Sequence, residues 1–539
     1  VSTIASGTTT ANVGTAEDRA ALFEYIYRST LARESISPIK NERLGFDVRD
    51  EMLRYRGRVV EATTDAELFY ALVALSNSRR DRHLRVTLVP NGLSLTETET
   101  ETETETETET ETAGLEQENY PVEDSEILHA PLRFYADFAD PNDPFVFVRD
   151  FAENIEEHTV GLLPNLGDRV VGVNGIPFDD YVEAVLPYQR YASTNNLWWQ
   201  LAEWLPQKSY HVPPWLYRER LELTFERPSG ERFDLSLPYL APTEIRWLGH
   251  GERRYPGFDL ALSTPTFDLY ENFEGEKTLL LAWNGFVRTI VDDVDRLMEH
   301  AAQKSLLDHA VVLDGTRSRG GSFGAYAVQR LSPRSFRTTF GNLRLSDITD
   351  AFITEQSARY AAGALTRVPR ETGIDDGTWL LEWLEGDVRR GLAAGQAYSN
   401  DVPFKLAHLP EYSDGVVQPA PVHFRGPLVV LLGPHGGSHL DQFASIIVDN
   451  ELGHTIGMPA AGYSNTWEWE EVLTFPRTGK PVVRYMWSIG HTIRPNGEVL
   501  EGNPAEVDEL VPLTRENFER YHEELLERAR KYLDLEPPC

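Results

Sequence analysis

Apolar residues recur at intervals of three and four through residues 15–79, in "EDRAALFEYIYRSTLA" and "DAELFYALVALSNS", and this spacing predicts amphipathic helices. The pattern then changes to alternation in "RDRHLRVTLVP", which predicts a strand. Between residues 119 and 240, "LGDRVVGVNG" predicts a strand closed by an Asn-Gly turn, and "RLELTFERPSGERFDLSLPYL" predicts a hairpin with Pro-Ser-Gly at its tip. A Trp-rich stretch, "NNLWWQLAEWLPQKSYHVPPWLY", lies between them and reads as a buried amphipathic cap. From about residue 241, continuous apolar runs ("KTLLLAW", "HAVVLDG", "PLVVLLG") alternate with helical spacing such as "VDDVDRLMEHAAQK". That alternation predicts an α/β layer on a mostly parallel sheet. A last helix is predicted over "TRENFERYHEELLERARKYL", capped at its opening threonine.

An alternating Thr-Glu repeat runs from Thr96 to Thr112 and carries eight glutamates. Like charges at that density repel and bury nothing, so the stretch reads as a solvated boundary. The chain thus divides into a mostly helical region at 1–95, a Thr-Glu linker at 96–118, a β-rich module at 119–240 and an α/β region at 241–539. At 539 residues it is too long for one core, and no stretch has the roughly 18 to 20 apolar residues of a membrane span.

The formal charge of −34 argues against a nucleic-acid partner, since phosphate binding needs clustered cations. One cysteine, Cys539, leaves no internal disulfide, thiol nucleophile or Cys-based metal cluster. The opening "VSTIASGTTTANVGT" shows no charged n-region or apolar h-region, so no signal peptide is read. A mature exported protein and a cytosolic one both look like this; localisation stays open, with an extracytoplasmic or secreted placement slightly preferred.

Candidate chemistry centres on "PLVVLLGPHGGSHLDQFASII", in which a buried strand meets a helix through a glycine-rich turn bearing Ser438. Such a turn exposes a hydroxyl as a nucleophile or uses it as a helix cap. A second turn of the same kind follows "HAVVLDG", where Gly320 and Gly321 open what reads as another helix. Side by side, the two turns would aim the backbone N–H groups of Gly320, Gly321 and His439 at one point, as an oxyanion hole requires. Asp314 reads as a structural acceptor for turn N–H groups. His435 and His439 are four apart, but Gly436 and Gly437 between them break the continuous helix a zinc pair needs, so neither a metal nor a cofactor is expected.

These segments resemble the tail-specific, or C-terminal processing, serine peptidases. "VVLDGTRSRGGS" is similar to that family's "DLRxNxGG" turn, and "GGSHLDQFASIIVDNELGHTIGMPAAG" to its nucleophile segment, with Ser438 on the nucleophile and Asp441 on the usual Glu. "RDRHLRV" is similar to its "DxHxxV" stretch, and "LGDRVVGVNG" to a PDZ segment. The four matches fall in family order. One departure is informative: where the Ser-Lys branch has its general base, this chain has Tyr463. The resemblance then points to the Ser-His-Glu branch of the tricorn core and the chlamydial protease-like activity factor. It implies His83 as base and, through "LEGNPAEVD", Glu501 as the third member, with Glu498 as the nearby substitute.

The implied architecture is α+β and multidomain: a ClpP/crotonase-like α/β catalytic core, a PDZ-like β module and an N-terminal helical segment. The implied activity is peptide-bond hydrolysis through an acyl-enzyme, on a peptide or protein substrate, with a homo-oligomer left open. Two other readings compete. A noncatalytic binding protein on the same fold has no use for serine, histidine and glycine turns together. An α/β-hydrolase esterase would need Gly two residues after the serine, where Leu440 stands.

Overall fold

The computed structural model describes residues 12–35, 45–95, 127–272, 276–361, 376–403, 409, 412–464 and 467–535. The Thr-Glu repeat and Cys539 lie outside these. The fold is mixed α+β and is organised around two seven-stranded sheets.

The α/β sheet runs in the order Phe258–Ser263, Phe267–Asn272, Thr278–Trp283, Ala310–Asp314, Leu428–Leu432, His454–Gly457, Glu509–Leu510. Its first two pairings are antiparallel and the rest parallel. Every residue of Leu428–Leu432 is buried, because this strand is central and covered on both faces. Alternate side chains enter different cores. Val429 and Leu431 join Phe147, Phe225, Leu525 and Ala529 on one side; Leu428, Val430 and Leu432 join Val294, Leu297, Phe443 and Ile447 on the other.

The first of these cores also belongs to the antiparallel sheet of residues 132–238, in the order Leu132–Asp137, Phe145–Phe151, Arg169–Val173, Arg220–Glu226, Arg232–Pro238, Val160–Gly161. The predicted β-rich module is therefore welded to the α/β layer through shared apolar burial. Its Asn-Gly turn forms as read: Asn174 and Gly175 take φ of 53° and 82°, and the chain folds back into Ile176–Pro177.

Among the described residues of the N-terminal region are the helices Ala16–Arg33, Val48–Arg54, Arg56–Glu61 and Asp65–Asn77. The first and last open on capping boxes, Thr15 with Asp18 and Thr64 with Glu67, which satisfy otherwise orphaned N–H groups. Their apolar faces (Leu22, Phe23, Ile26, Leu68, Leu72, Leu75) pack on Tyr485, Trp487 and Ile489 from the far end of the chain. Glu34 and Arg79 form a buried ion pair in this interface, and Arg79 also donates to Met486 O at 2.9 Å.

Three predicted elements differ in detail. "RDRHLRVTLVP" yields only the two-residue strand Val86–Thr87, paired with Arg484 and Tyr485. Asp81 Oδ1 instead accepts the His83 N–H at 3.0 Å, a local turn that competes with extended pairing. Gly320 and Gly321 lie in the short strand Arg319–Gly321, and the helix begins later, at Gly324. The last helix starts at Tyr521, because Thr514 and Asn517 close a turn of their own, with the Thr514 N–H on Asn517 Oδ1 at 2.8 Å.

Removing one member of a buried ion pair strands the other. Arg79→Ala is expected to destabilise the chain by about 3–5 kcal/mol in denaturant unfolding. A change below about 1 kcal/mol, the range of a surface pair, would show that this contact does not anchor the N-terminal region.

Candidate active site

Ser438 stands between the strand Leu428–Leu432 and the helix His439–Asp449, with φ 60° and ψ −118°. This backbone is unusual for a residue other than glycine and marks a position over-determined by its surroundings. Its hydroxyl makes no cap bond to the helix. The capping alternative open at the sequence level is thus not what the side chain does.

Three hydrogen bonds donated by main-chain N–H groups hold the turn. The Ser438 N–H donates to Tyr463 O at 2.7 Å, and Asp441 accepts the Gly462 N–H on Oδ1 at 2.9 Å and the Tyr463 N–H on Oδ2 at 3.1 Å. Asp441 is fully buried, and this burial outweighs the backbone N–H groups that favour its charged form and pushes its carboxyl up to about 8. The loop that Asp441 holds is the loop that holds Ser438.

His83 comes from the turn after the helix Asp65–Asn77, and its Nε2 lies 3.1 Å from Ser438 Oγ, across 355 residues of sequence. Its side chain is 22% exposed, so the pair is reachable from solvent. Tyr463 sets its ring edge-on to His83 with centroids 5.0 Å apart. The same ring closes over Gly437, where any Cβ would come within 2.3 Å of it. Tyr463 therefore walls the site.

Glu501 is 1% exposed, and its Oε2 accepts the Ser464 N–H at 2.7 Å. Glu498, the other candidate, is exposed, and its Oε2 accepts from Asn503 Nδ2 at 2.8 Å. Oxygens of Asp81 and Glu501 and a ring nitrogen of His83 all lie within 4.8 Å of one another, and Asp81 Oδ1 is 3.9 Å from His83 Nδ1. Among the described residues this is the His-carboxylate group that could hold a cation. Its histidine turns Nε2 to a serine hydroxyl, which is the arrangement of a base and nucleophile.

The other two histidines of the motif have separate partners. His435 Nδ1 accepts from Trp199 Nε1 at 3.0 Å, and His439 Nε2 accepts the Gly324 N–H at 2.6 Å. Burial lowers His435 to about 4 and His439 to about 3, so both are neutral at pH 7. Asp314 is a structural acceptor, taking the Thr316 N–H at 3.0 Å and the Tyr255 hydroxyl at 2.6 Å.

Gly320 faces the serine directly. A Cβ there would lie 2.7 Å from Ser438 Cβ and 3.2 Å from His439 N. The His439 N–H is at the first position of its helix, where the helix itself offers no acceptor. Gly321, at φ 145°, packs against Phe286 O rather than against Ser438.

Some contributors escaped the motif reading. Asp81 and Asp441 stood in quoted motifs but gained their contacts only with the fold. The Trp-rich helix, Thr194–Trp204, touches the loop before Ser438 through Asn196 and Trp199. Its spacing signalled a helix with an apolar face, and nothing in it signalled what that helix would meet.

No protein-family model and no curated protein matches this chain. Among solved structures, mature CPAF complexed with lactacystin is similar with a TM-score of 0.68 at 14% identity, over 96% of this chain and 98% of that one. Mature CPAF is similar with a TM-score of 0.65 at 13% identity, over 96% and 97%. The fold is thus shared with CPAF over nearly the whole of both chains.

The raised carboxyl of Asp441 has a sign that can be measured. A carboxyl at about 8 when folded and near 3.8 when unfolded keeps its proton in the folded chain alone between those values, so its contribution to stability falls as pH rises through that window. Wild type is expected to lose stability relative to Asp441→Asn as pH rises from 5 to 8. A pH-independent difference would mean that the Asp441 carboxyl is ionised throughout.

Proposed function

We propose that this chain, folded like CPAF, is a serine endopeptidase that cleaves peptide bonds through an acyl-enzyme on Ser438. The observation that carries the reading is the 3.1 Å approach of His83 Nε2 to Ser438 Oγ. A serine hydroxyl is a poor nucleophile near neutral pH and needs a base within hydrogen-bond reach, with an affinity for protons matched to that pH.

In the proposed reaction, His83 takes the hydroxyl proton as Oγ attacks the scissile carbonyl. The imidazolium then gives that proton to the leaving amine, and water, deprotonated by the same ring, hydrolyses the acyl ester. Glu501 orients the imidazole and stabilises its charged form, with Asp81 as a second carboxylate close by. Backbone N–H groups of His439 and of the Gly320–Gly321 turn receive the oxyanion. The near contact of Gly320 with Ser438 supports this assignment for Gly320 more than for Gly321.

The domain reading extends the proposal. The sheet of 258–510 with its covering helices serves as a ClpP/crotonase-like core, and the antiparallel sheet of 132–238 as a PDZ-like module. The N-terminal helices deliver the base. A peptide or protein substrate is the partner, and among the described residues no helix is long and apolar enough to cross a membrane.

Hydrolysis of casein and of a short acyl ester separates the possibilities. Ser438→Ala and His83→Ala are expected to lose casein cleavage to background, Glu501→Gln to lose about 10³- to 10⁴-fold in kcat, and Tyr463→Phe to keep activity. Ester hydrolysis without peptide cleavage would favour an esterase, and full activity in His83→Ala would overturn the proposed base. A Cβ forced against the serine should also be costly: Gly320→Ala is expected to lose at least about 10²-fold in kcat, as removal of an oxyanion donor does. Unchanged kcat in that variant would move the oxyanion site elsewhere.

A further inference from the structure

The helix Thr194–Trp204 lays one face against the two loops that flank Ser438. Ser193 Oγ donates to Ala461 O at 2.7 Å, Asn196 Nδ2 to Pro434 O at 3.0 Å, and Trp199 Nε1 to His435 Nδ1 at 3.0 Å. A repeat of three places these donors along one side of the helix start. Ala202 and Leu205 meanwhile enter the main core, so the helix is anchored apart from these bonds.

Asn196 is fully buried and has work on both sides of the site. Its Oδ1 accepts from Gln200 Nε2 at 2.6 Å and from Arg82 Nη1 at 3.4 Å. Arg82 precedes His83 in the chain, and its guanidinium lies over the Tyr463 ring, 5.1 Å from the centroid. One planar amide thus touches the main chain four residues before the nucleophile and the side chain next to the base.

We propose that Asn196 is a positioning residue for the transfer of the proton from Ser438 to His83, with Trp199 as its support on the same loop. The inference rests on the serine peptidase reading. The physical demand is narrow: the Pro434 carbonyl needs a donor, the Arg82 guanidinium an acceptor, and the two must be held at one separation. A carboxamide supplies both from a rigid group, whereas a carboxylate supplies only acceptors. Asn196→Asp keeps the size and the Arg82 contact but turns an oxygen against Pro434 O, where two acceptors repel. The loop bearing Ser438 is then free to shift against His83.

The test compares wild type, Asn196→Asp and Trp199→Phe, each checked by thermal melting, in peptide hydrolysis and in the second-order rate of inactivation by a fluorophosphonate. Misplacement of reacting groups by about 1 Å costs on the order of 10²-fold. Asn196→Asp is accordingly expected to lose about 10²-fold in kcat with KM within about twofold, and to lose the same factor in the fluorophosphonate rate. Trp199→Phe keeps an aromatic ring but loses its donor to His435, and should lose about 3- to 10-fold in both, as one neutral hydrogen bond allows. A purely structural role predicts something else: fewer active molecules, each reacting at the wild-type rate. That result, or wild-type rates in a fully folded Asn196→Asp, overturns the proposal. If Asn196→Asp does not fold, Trp199→Phe decides, and wild-type rates there overturn it too. A wild type inert to both fluorophosphonate and peptide would defeat the peptidase reading itself and this inference with it, an outcome distinct from reactive wild type with equally reactive variants.

Discussion

The contact between His83 Nε2 and Ser438 Oγ, at 3.1 Å, is the constraint on which the proposed chemistry depends, because the proton transfer proposed between them tolerates little error in distance. Its two atoms come from opposite ends of the chain. The His83 ring is therefore only as well placed as the docking of the N-terminal helices on the C-terminal strands. Three kinds of interaction secure that docking: apolar packing of Leu68, Leu72 and Leu75 against Tyr485 and Trp487, the Val86–Tyr485 strand pairing, and the buried Glu34–Arg79 pair, whose arginine lies four residues before His83. Each engages the segment that leads into or out of His83, so slack in any of them passes to the ring.

The side bearing Ser438 is built differently. Leu428–Leu432 is packed on both faces, so the strand end cannot move without disturbing two cores at once. Asp441 then ties the Gly462–Tyr463 main chain to the first turn of the helix, and Tyr463 O receives the Ser438 N–H. Burial keeps His435 and His439 neutral and engaged with Trp199 and Gly324, which leaves His83 as the imidazole facing the serine. In a chain of net charge −34, the two carboxylates grouped with His83, Asp81 and Glu501, are buried.

Much of this was legible in the sequence where local chemistry dictates the outcome. The buried parallel strands, the Asn174–Gly175 turn and the helix after Ser438 follow from apolar runs and turn residues, and they appear where the pattern puts them. Ser438, His83 and Glu501 were named from short motifs, and the fold gathers them at one place. What the sequence hid was non-local. The strand expected through His83 shrinks to two residues because Asp81 bends the chain, and the helix expected at Gly320 starts at Gly324 because Arg319–Gly321 pairs with Gly285–Phe286. The burial of Asp441 and the face that Asn196 presents to Pro434 are properties of assembled surfaces, which no window of sequence contains.

The proposed activation of the Ser438 hydroxyl, and of no other, is tested most directly by the site of covalent modification. Wild-type protein treated with a phosphonylating inhibitor, digested and mapped by mass spectrometry should carry a single adduct on the peptide containing Ser438, and the same treatment of His83→Ala should leave that peptide unmodified. An adduct on any other residue, or equal modification of Ser438 without His83, would contradict it.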